Sequence, residues 1–237
     1  MASAVIVAAG SSTRMGEEVD KLFLEVEGKP VVGHTWSKFD ALDVIDETIV
    51  VVREGREDEF NALANSMELR KPFRLAPGGV ERQDSVWNGL EAVSSEAELV
   101  AVQDGARPCT DPGLIADTLA AAGEIGAAVA ATRVTDTIKE ADPDDCIAGT
   151  MDREKLRAVQ TPQCFRVQIL RKALAAVREQ GLIVTDDTAA CELIGQPVAL
   201  VESALPNPKV TTPADLPWVE HLLRSPQTPL ANRDGGP

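Results

Sequence analysis

The first segment able to do chemistry is Ala8-Ala9-Gly10-Ser11-Ser12-Thr13-Arg14-Met15-Gly16, with Lys21 after four further residues. It follows the apolar run Ala4–Ala8, so it reads as the turn that leaves a first strand. Small residues and glycine let the backbone approach a ligand closely, and successive N–H groups form an anion-binding nest. Ala8, Ala9 and Gly10 would offer that backbone. Arg14 adds a planar fork of donors matched to phosphate oxygens, and Lys21 adds a second cation. Taken residue by residue, the same stretch also fits an ordinary strand-to-helix turn with a surface arginine. Two commoner phosphate motifs are excluded by spacing. Gly10 is followed by Ser11 and Ser12, which breaks GxGxxG, and Gly16 by Glu17 and Glu18, which breaks the Walker pattern.

Other chemistries find few residues to use. The chain has two histidines, His34 inside a helical pattern and His221 near the end, and no Ser–His–Asp signature. Cys109, Cys146, Cys164 and Cys191 are far apart, without a CxxC pair or a neighbouring histidine, which favours reduced structural thiols over zinc. Lys and Arg number 23 against 38 Asp and Glu, a formal charge of −15. A balance that acidic argues against nucleic acid, which needs a basic face, but leaves a small anionic substrate open. No apolar run reaches the ~18 residues of a membrane span. The start, MASAVIVAAG, lacks the basic region of a signal peptide, so a cytoplasmic protein without membrane contact is expected.

The elements that must position these residues follow from periodicity. At 237 residues the chain suits one α/β domain, assigned to residues 1–224, with 225–237 as a disordered tail. Apolar runs at Ala4–Ala8, Thr48–Val52, Phe73–Ala76, Leu99–Val102, Ala127–Ala131 and Val198–Glu202 predict buried strands. Helical patterns lie at Val31–Ala41, Arg56–Ser66, Arg82–Val93, Pro112–Ala122, Gln168–Glu179 and Asp186–Ile194, and Thr212-Pro213-Ala214-Asp215 reads as a helix start. Strand–helix alternation predicts a mostly parallel sheet flanked by helices, with the site beyond the carboxyl ends of the strands. The polar stretch at about 134–159 breaks the rhythm and predicts a projecting β-arm.

Several motifs in one order then add a resemblance. AAGSSTRMG, DKLFL, PGGVERQDSV, QDGARP, DTIK, MDREKLRAVQTPQ, VTDD and NPKVT resemble the 2-C-methyl-D-erythritol 4-phosphate cytidylyltransferase family, from residue 5 to residue 212. The resemblance implies a Rossmann-like nucleotidyltransferase that moves a cytidylyl group from CTP to methylerythritol phosphate and releases pyrophosphate. It implies that Arg14, Lys21 and Lys209 are catalytic and that Gly79 and Ser85 contact cytosine. Asp104 would bind the nucleotide through Mg²⁺. Arg107, Thr137, Arg153, Thr161 and Thr185 would surround the acceptor, and Arg153, carried on the arm into a second subunit, implies a homodimer. From the residues alone, Ser85 and the threonines also suit caps or strands.

The motifs depart from the family pattern at Gln103 (where His is common), Gly105 (Ala) and Asp20 (Pro). Gly105 would loosen the turn after Asp104, Asp20 would offset the charge of Lys21, and Asp187 stands where Glu is frequent. Three other readings stay open: transfer to ribitol 5-phosphate, a non-catalytic nucleotide-binding protein of the same fold, and, disfavoured by the missing GxGxxG, an NAD-dependent oxidoreductase.

Overall fold

The computed structural model describes residues 1–10 and 20–225. Arg14 and the rest of the predicted phosphate loop from Ser11 to Val19 lie outside the described residues, as does the tail from Pro226 onward. A seven-stranded sheet forms the centre, in the order β11-β7-β10-β6-β1-β4-β5. Its strands are β1 (Ala2–Ala8), β4 (Glu47–Val52), β5 (Phe73–Pro77), β6 (Leu99–Asp104), β7 (Ala127–Arg133), β10 (Arg157–Arg166) and β11 (Ala199–Glu202). All run parallel except β10, which lies antiparallel between β6 and β7. The fold is therefore α/β with a mostly parallel sheet.

Side-chain alternation along a strand sends successive residues to opposite faces, and both faces are covered. Ala4, Ile6 and Ala8 pack with Trp36 and Phe39 of α1 (Val31–Ala41), Phe60 of α2 (Glu57–Ser66), Ile115 and Leu119 of α4 (Pro112–Ile125), and Val219 and Leu222 of α7 (Leu216–Arg224). Val5, Ile49 and Val51 pack with Val86 and Leu90 of α3 (Arg82–Glu91), Leu170 and Leu174 of α5 (Val167–Glu179), and Cys191 of α6 (Asp187–Leu193). Each large aliphatic side chain buried this fully contributes about 1.5–3 kcal/mol. Strands apolar on both faces are what such a double covering requires.

Helix starts follow their sequence signals. Asp111 accepts from Leu114 N–H ahead of Pro112, and Asp186 accepts from Ala189 N–H. Thr212 and Asp215 form a reciprocal capping box over the 3₁₀ turn Pro213–Asp215, which runs into α7. Arg224 still belongs to α7 and pairs with Glu27 and Glu220.

Two features differ from expectation. Strand β10 was not anticipated, because Pro162 cannot donate to a ladder and so argues against a central strand. The ladder to β7 shifts register between Val159 and Gln163, and Pro162 sits in that break. Arg157–Val159, assigned to the arm, pair instead with Ala131–Arg133 of the main sheet. Outside it, β8 (Lys139–Ala141) and β9 (Ile147–Thr150) form a separate, exposed antiparallel ribbon. The second difference is a short hairpin, β2 (Glu25–Val26) with β3 (Lys29–Pro30), closed by Glu27 at φ 50° and Gly28 at φ 69°. Positive φ at both central residues is the requirement of a tight hairpin turn.

Candidate functional site

Three strand ends meet at the carboxyl edge of the sheet. The first strand ends in Ala8-Ala9-Gly10, and Arg53, just past β4, donates from Nη2 to Gly10 O at 3.0 Å. Gly78, just past β5, donates to Val52 O at 2.7 Å. This packing demands glycine: a Cβ on Gly78 would lie 2.4 Å from Ala9 Cβ, and one on Gly79 2.2 Å from Asp84 Cβ. Gly79 N–H donates to the buried Ser85 Oγ at 3.0 Å. Ser85, in the first turn of α3, thus fixes the Gly78–Gly79 turn beside the Ala8–Gly10 loop. Lys21, at the end of the same loop in sequence, is half-buried. Its neighbour Asp20 forms an ion pair with Arg56 at 2.8 Å, and Arg56 also lies over the Phe23 ring. The carboxylate expected to offset Lys21 therefore has a cation of its own.

Next to this lip, β6 ends in Asp104, which is 8% exposed. Three cations ring its carboxylate. Lys209 Nζ lies 2.9 Å and Arg107 Nε 3.4 Å from Oδ2, while Arg82 Nε lies 3.6 Å from Oδ1. Burial opposes ionisation of Asp104, but Lys209, Arg82 and Arg107 together outweigh it and hold the carboxyl below its usual range. Arg82 reaches a second carboxylate as well: its Nη1 donates to Oδ2 of Asp187 at 2.8 Å. Asp187 is fully buried, and its Oδ1 has no hydrogen-bond partner among the described residues. Burial pushes this carboxyl up and Arg82 pulls it down, with the net shift upward.

A polar network holds the cations in place. Arg107 Nη1 donates to Asn207 O at 2.6 Å. The Asn207 side chain donates to Gln160 Oε1 at 3.1 Å and Thr161 O at 2.9 Å, and accepts from Thr110 Oγ1 at 2.9 Å. Val210 N–H donates to Ala106 O at 2.8 Å, which pins the segment carrying Lys209 against the turn after Asp104. Thr161 is buried, and its Oγ1 accepts from Asp104 N–H at 3.1 Å, a contact opened by the break in the β10 ladder. The Gly105 turn is not loose, contrary to expectation. Gly105 N–H donates to Val7 O at 3.0 Å, and its carbonyl accepts from Thr35 Oγ1 at 2.9 Å. Gln103 is fully buried and donates from Nε2 to Thr110 Oγ1 at 2.9 Å.

The remaining predicted residues are dispersed. Thr185 is exposed, between Val184, whose N–H donates to Gln83 of α3, and the cap residue Asp186. Thr137 and Arg153 are exposed and lie at the ribbon, where Arg153 donates to Thr135 O at 2.7 Å. His34 sits in α1 with Nε2 2.7 Å from Val26 O, and His221 stacks on Trp218 in α7. All four cysteines are unpaired, and Cys146 alone among them is exposed.

Sequence reasoning missed Arg82, Asn207 and Arg53. The first two stood inside quoted motifs, PGGVERQDSV and NPKVT, so the signal was present without an assigned role.

As to Mg²⁺, no group of three or more His, Cys, Asp or Glu that could hold a metal occurs among the described residues. A single hard carboxylate nevertheless suits Mg²⁺, which commonly takes one or two carboxylates and draws its other ligands from substrate phosphates and water. Asp104 fits that role, since among the described residues its Oδ1 has only the 3.6 Å approach of Arg82.

Comparison with known proteins agrees with this geometry. The family model described as 2-C-methyl-D-erythritol 4-phosphate cytidylyltransferase matches residues 2–225. A protein of that name from Pelotomaculum thermopropionicum is 41% identical over 234 residues, covering 98% of each chain. The solved 4-diphosphocytidyl-2C-methyl-D-erythritol synthase of Anaerococcus prevotii superposes with a TM-score of 0.84 at 29% identity, over 94% of this chain and 98% of that one. The Thermus thermophilus 2-C-methyl-D-erythritol 4-phosphate cytidylyltransferase gives 0.77 at 35% identity, over 95% of this chain and all (100%) of that one.

Proposed function

The chain belongs to the 2-C-methyl-D-erythritol 4-phosphate cytidylyltransferase family, and we propose that Arg14, Lys21, Lys209 and Asp104 carry the donor half of its reaction while Arg107, Thr161 and Thr185 receive the acceptor. The enzyme transfers the cytidylyl group of CTP to 2-C-methyl-D-erythritol 4-phosphate in the non-mevalonate route to isoprenoid precursors. The products are 4-diphosphocytidyl-2-C-methyl-D-erythritol and pyrophosphate.

The reaction needs no general base. A phosphate monoester has its second pKa near ~6, so the attacking oxygen is already ionised at neutral pH. That oxygen forms a bond to the α-phosphorus of CTP as the bond from the α-phosphorus to the bridging oxygen breaks, and pyrophosphate leaves with that electron pair. The obstacle is repulsion between two anionic substrates, about 4 kcal/mol for each uncompensated charge pair at ~4 Å and an effective dielectric near ~20. Lys21 and Arg14 would neutralise the triphosphate, and Lys209 the phosphoryl group in transfer. Asp104 would hold Mg²⁺, which when bound supplies further charge neutralisation and orients phosphate oxygens. Ala8, Ala9 and Gly10 present backbone to the nucleotide, and Gly79, braced by Ser85, faces the base. Catalysis is then positioning and electrostatics.

The observation that carries this reading is the single carboxylate of Asp104 ringed by Lys209, Arg107 and Arg82. Thr137 and Arg153 are absent from that ring. They complete the acceptor site if the ribbon of one subunit reaches its partner, which makes the working unit a homodimer. Exposed Ile147 and Met151 on that segment supply apolar surface for such a contact. A cytoplasmic location accords with the thiols, since no cysteine is paired in a disulfide.

The test is pyrophosphate release from CTP with methylerythritol phosphate and ribitol 5-phosphate, for the wild type and for Lys21→Ala and Lys209→Ala. Methylerythritol phosphate should be the better acceptor, and each variant should lose turnover by orders of magnitude while staying folded. Near-normal turnover in both variants would sink the mechanism.

A further inference from the structure

Arg82 is shared unequally between two buried carboxylates. Its Nη1 makes a hydrogen bond to Asp187 Oδ2 at 2.8 Å, whereas its Nε stands 3.6 Å from Asp104 Oδ1. The second distance exceeds hydrogen-bond range, so the coupling to Asp104 is electrostatic. Asp187 is fully buried at the start of α6, and Arg82 opens α3, 105 residues away in sequence. One feature of the pair is costly: Asp187 Oδ1 is buried with nothing to accept from among the described residues. An ionised carboxylate accepts on both oxygens, and a guanidinium can fill both in a bidentate pair. Asp187 therefore has capacity for a closer grip on Arg82 than the one it now makes.

We propose that Arg82 is a positioning residue for the transfer reaction, whose guanidinium leans on Asp104 before substrate binds and withdraws to the free oxygen of Asp187 when Asp104 takes a divalent cation. Asp187 is the anchor that makes withdrawal possible. The inference rests on the assignment of Asp104 as the metal-holding carboxylate. A cation beside a carboxylate competes with a metal for it, so Arg82 must be near enough to keep Asp104 aligned and movable enough to yield. Arginine suits this better than lysine, because its fork can fill both oxygens of Asp187 as it leaves Asp104. Lys209 and Arg107 both face Oδ2, which leaves Oδ1 to Arg82 alone among these cations.

The experiment is titration of the full chain with Mn²⁺ in the presence of CTP and without acceptor, read by electron paramagnetic resonance. Asp187→Asn removes the anchor, so Arg82 settles on Asp104 and the Mn²⁺ dissociation constant rises about tenfold, the factor that ~1.4 kcal/mol of added competition corresponds to. Arg82→Gln with Asp187→Asn replaces the ion pair by two amides, leaves no buried unpaired charge and removes the competitor. In that double variant Mn²⁺ binds at least as tightly as in the wild type, while turnover falls. Arg82→Lys, which keeps the charge but cannot fork, weakens Mn²⁺ binding as Asp187→Asn does, and it carries the comparison if Asp187→Asn fails to fold. A purely structural pair would shift single and double variants in the same direction, and that result, or no shift at all, overturns the inference. Asp104→Asn separates this from the assignment on which it rests. Mn²⁺ binding in Asp104→Asn equal to that of the wild type would refute Asp104 as the metal-holding carboxylate. Weakened binding in Asp104→Asn without opposed shifts in the Arg82 and Asp187 variants would refute the role of Arg82 alone.

Discussion

Replacing Asn207 by Ala tests whether the wiring behind the site governs the acceptor. Asn207 is 4% exposed, and its side chain makes three hydrogen bonds, to Thr110, Gln160 and the Thr161 carbonyl. Thr110 loses little, since its hydroxyl also reaches Arg107 O at 3.0 Å. The Thr161 carbonyl is left stranded. At about 1 kcal/mol for each bond lost, and 1–3 more for a stranded buried acceptor, the loss is about 3–5 kcal/mol. For a chain of this size that lowers Tm by about 10 °C. The backbone carbonyl that receives Arg107 survives the substitution, but the segment presenting it is no longer tied to β10. Arg107 then loses its fixed position, and KM for methylerythritol phosphate should rise about tenfold while KM for CTP holds. Asn207→Asp should not rescue either effect, because it accepts from Thr110 but cannot donate to Gln160 or Thr161. Differential scanning calorimetry and pyrophosphate release, with each substrate titrated separately, measure both quantities. A Tm loss below about 2 °C would refute the energetic reasoning. The full Tm loss with an unchanged acceptor KM would refute the link through Arg107.

Gly78→Ala places a methyl group 2.4 Å from Ala9 Cβ, so the Ala8–Gly10 and Gly78–Gly79 turns must part at a cost of about 1–3 kcal/mol. KM for CTP should then rise more than KM for the acceptor, and equal rises in steady-state kinetics would contradict the placement. Asp215 Oδ2 accepts from the N–H groups of Thr211 and Thr212 at 2.8 Å each, and these bonds hold its carboxyl below the usual range. A depressed folded pKa stabilises above the unfolded value of ~3.9 and is lost as pH falls through the folded one. The Tm gap between wild type and Asp215→Asn should thus be flat above about pH 4 and close below it; a gap that widens on acidification would show the sign to be wrong. Cys146 is exposed, while burial pushes Cys109 up to about 11 and Cys191 up to about 12, with Cys164 raised as well. A disulfide exchange reagent should titrate one thiol per native chain rapidly, and a second fast thiol would contradict the buried placement.

Most of the sheet could be read from the sequence because its strands announce themselves by composition. Val50, Val51 and Val52 are buried on both faces, and a run that is apolar throughout is how such a strand reads. Helix α1 was legible to its ends, since Pro30 precedes its apolar period. What escaped was local structure set by tertiary context. Strand β10 carries Pro162 and polar Gln160 and Gln163, a poor strand by propensity, and it exists because β6 and β7 offer ladders on both sides. Glu25–Pro30 is too short for any periodicity, and its Glu27-Gly28 turn was the one available sign. The departure at Gly105 misled for a related reason. Glycine suggests freedom when only the chain is considered, but Thr35 and Val7 remove that freedom from 70 and 98 residues away.

The candidate site was legible by resemblance as a set of residues and illegible as a circuit. Asp104, Arg107 and Lys209 were named from motifs, yet nothing in a motif says that one carboxylate faces both Lys209 and Arg107 on the same oxygen. That arrangement has a physical consequence. Clustering Arg82, Arg107 and Lys209 costs repulsion among them, and Asp104 and Asp187 offset it. The chain's charge of −15 makes this local reversal necessary, because long-range attraction offers nothing to an anionic nucleotide. Specific contacts must do the attracting, and they must be assembled beforehand. Arg107 is held by Asn207 O, Lys209 by the segment that Val210 ties to Ala106, and Arg82 by Asp187. Each of these anchors is separate from the contact the cation makes with Asp104. If phosphate oxygens take the cations over from Asp104, as proposed above, the contacts that aim them need not break.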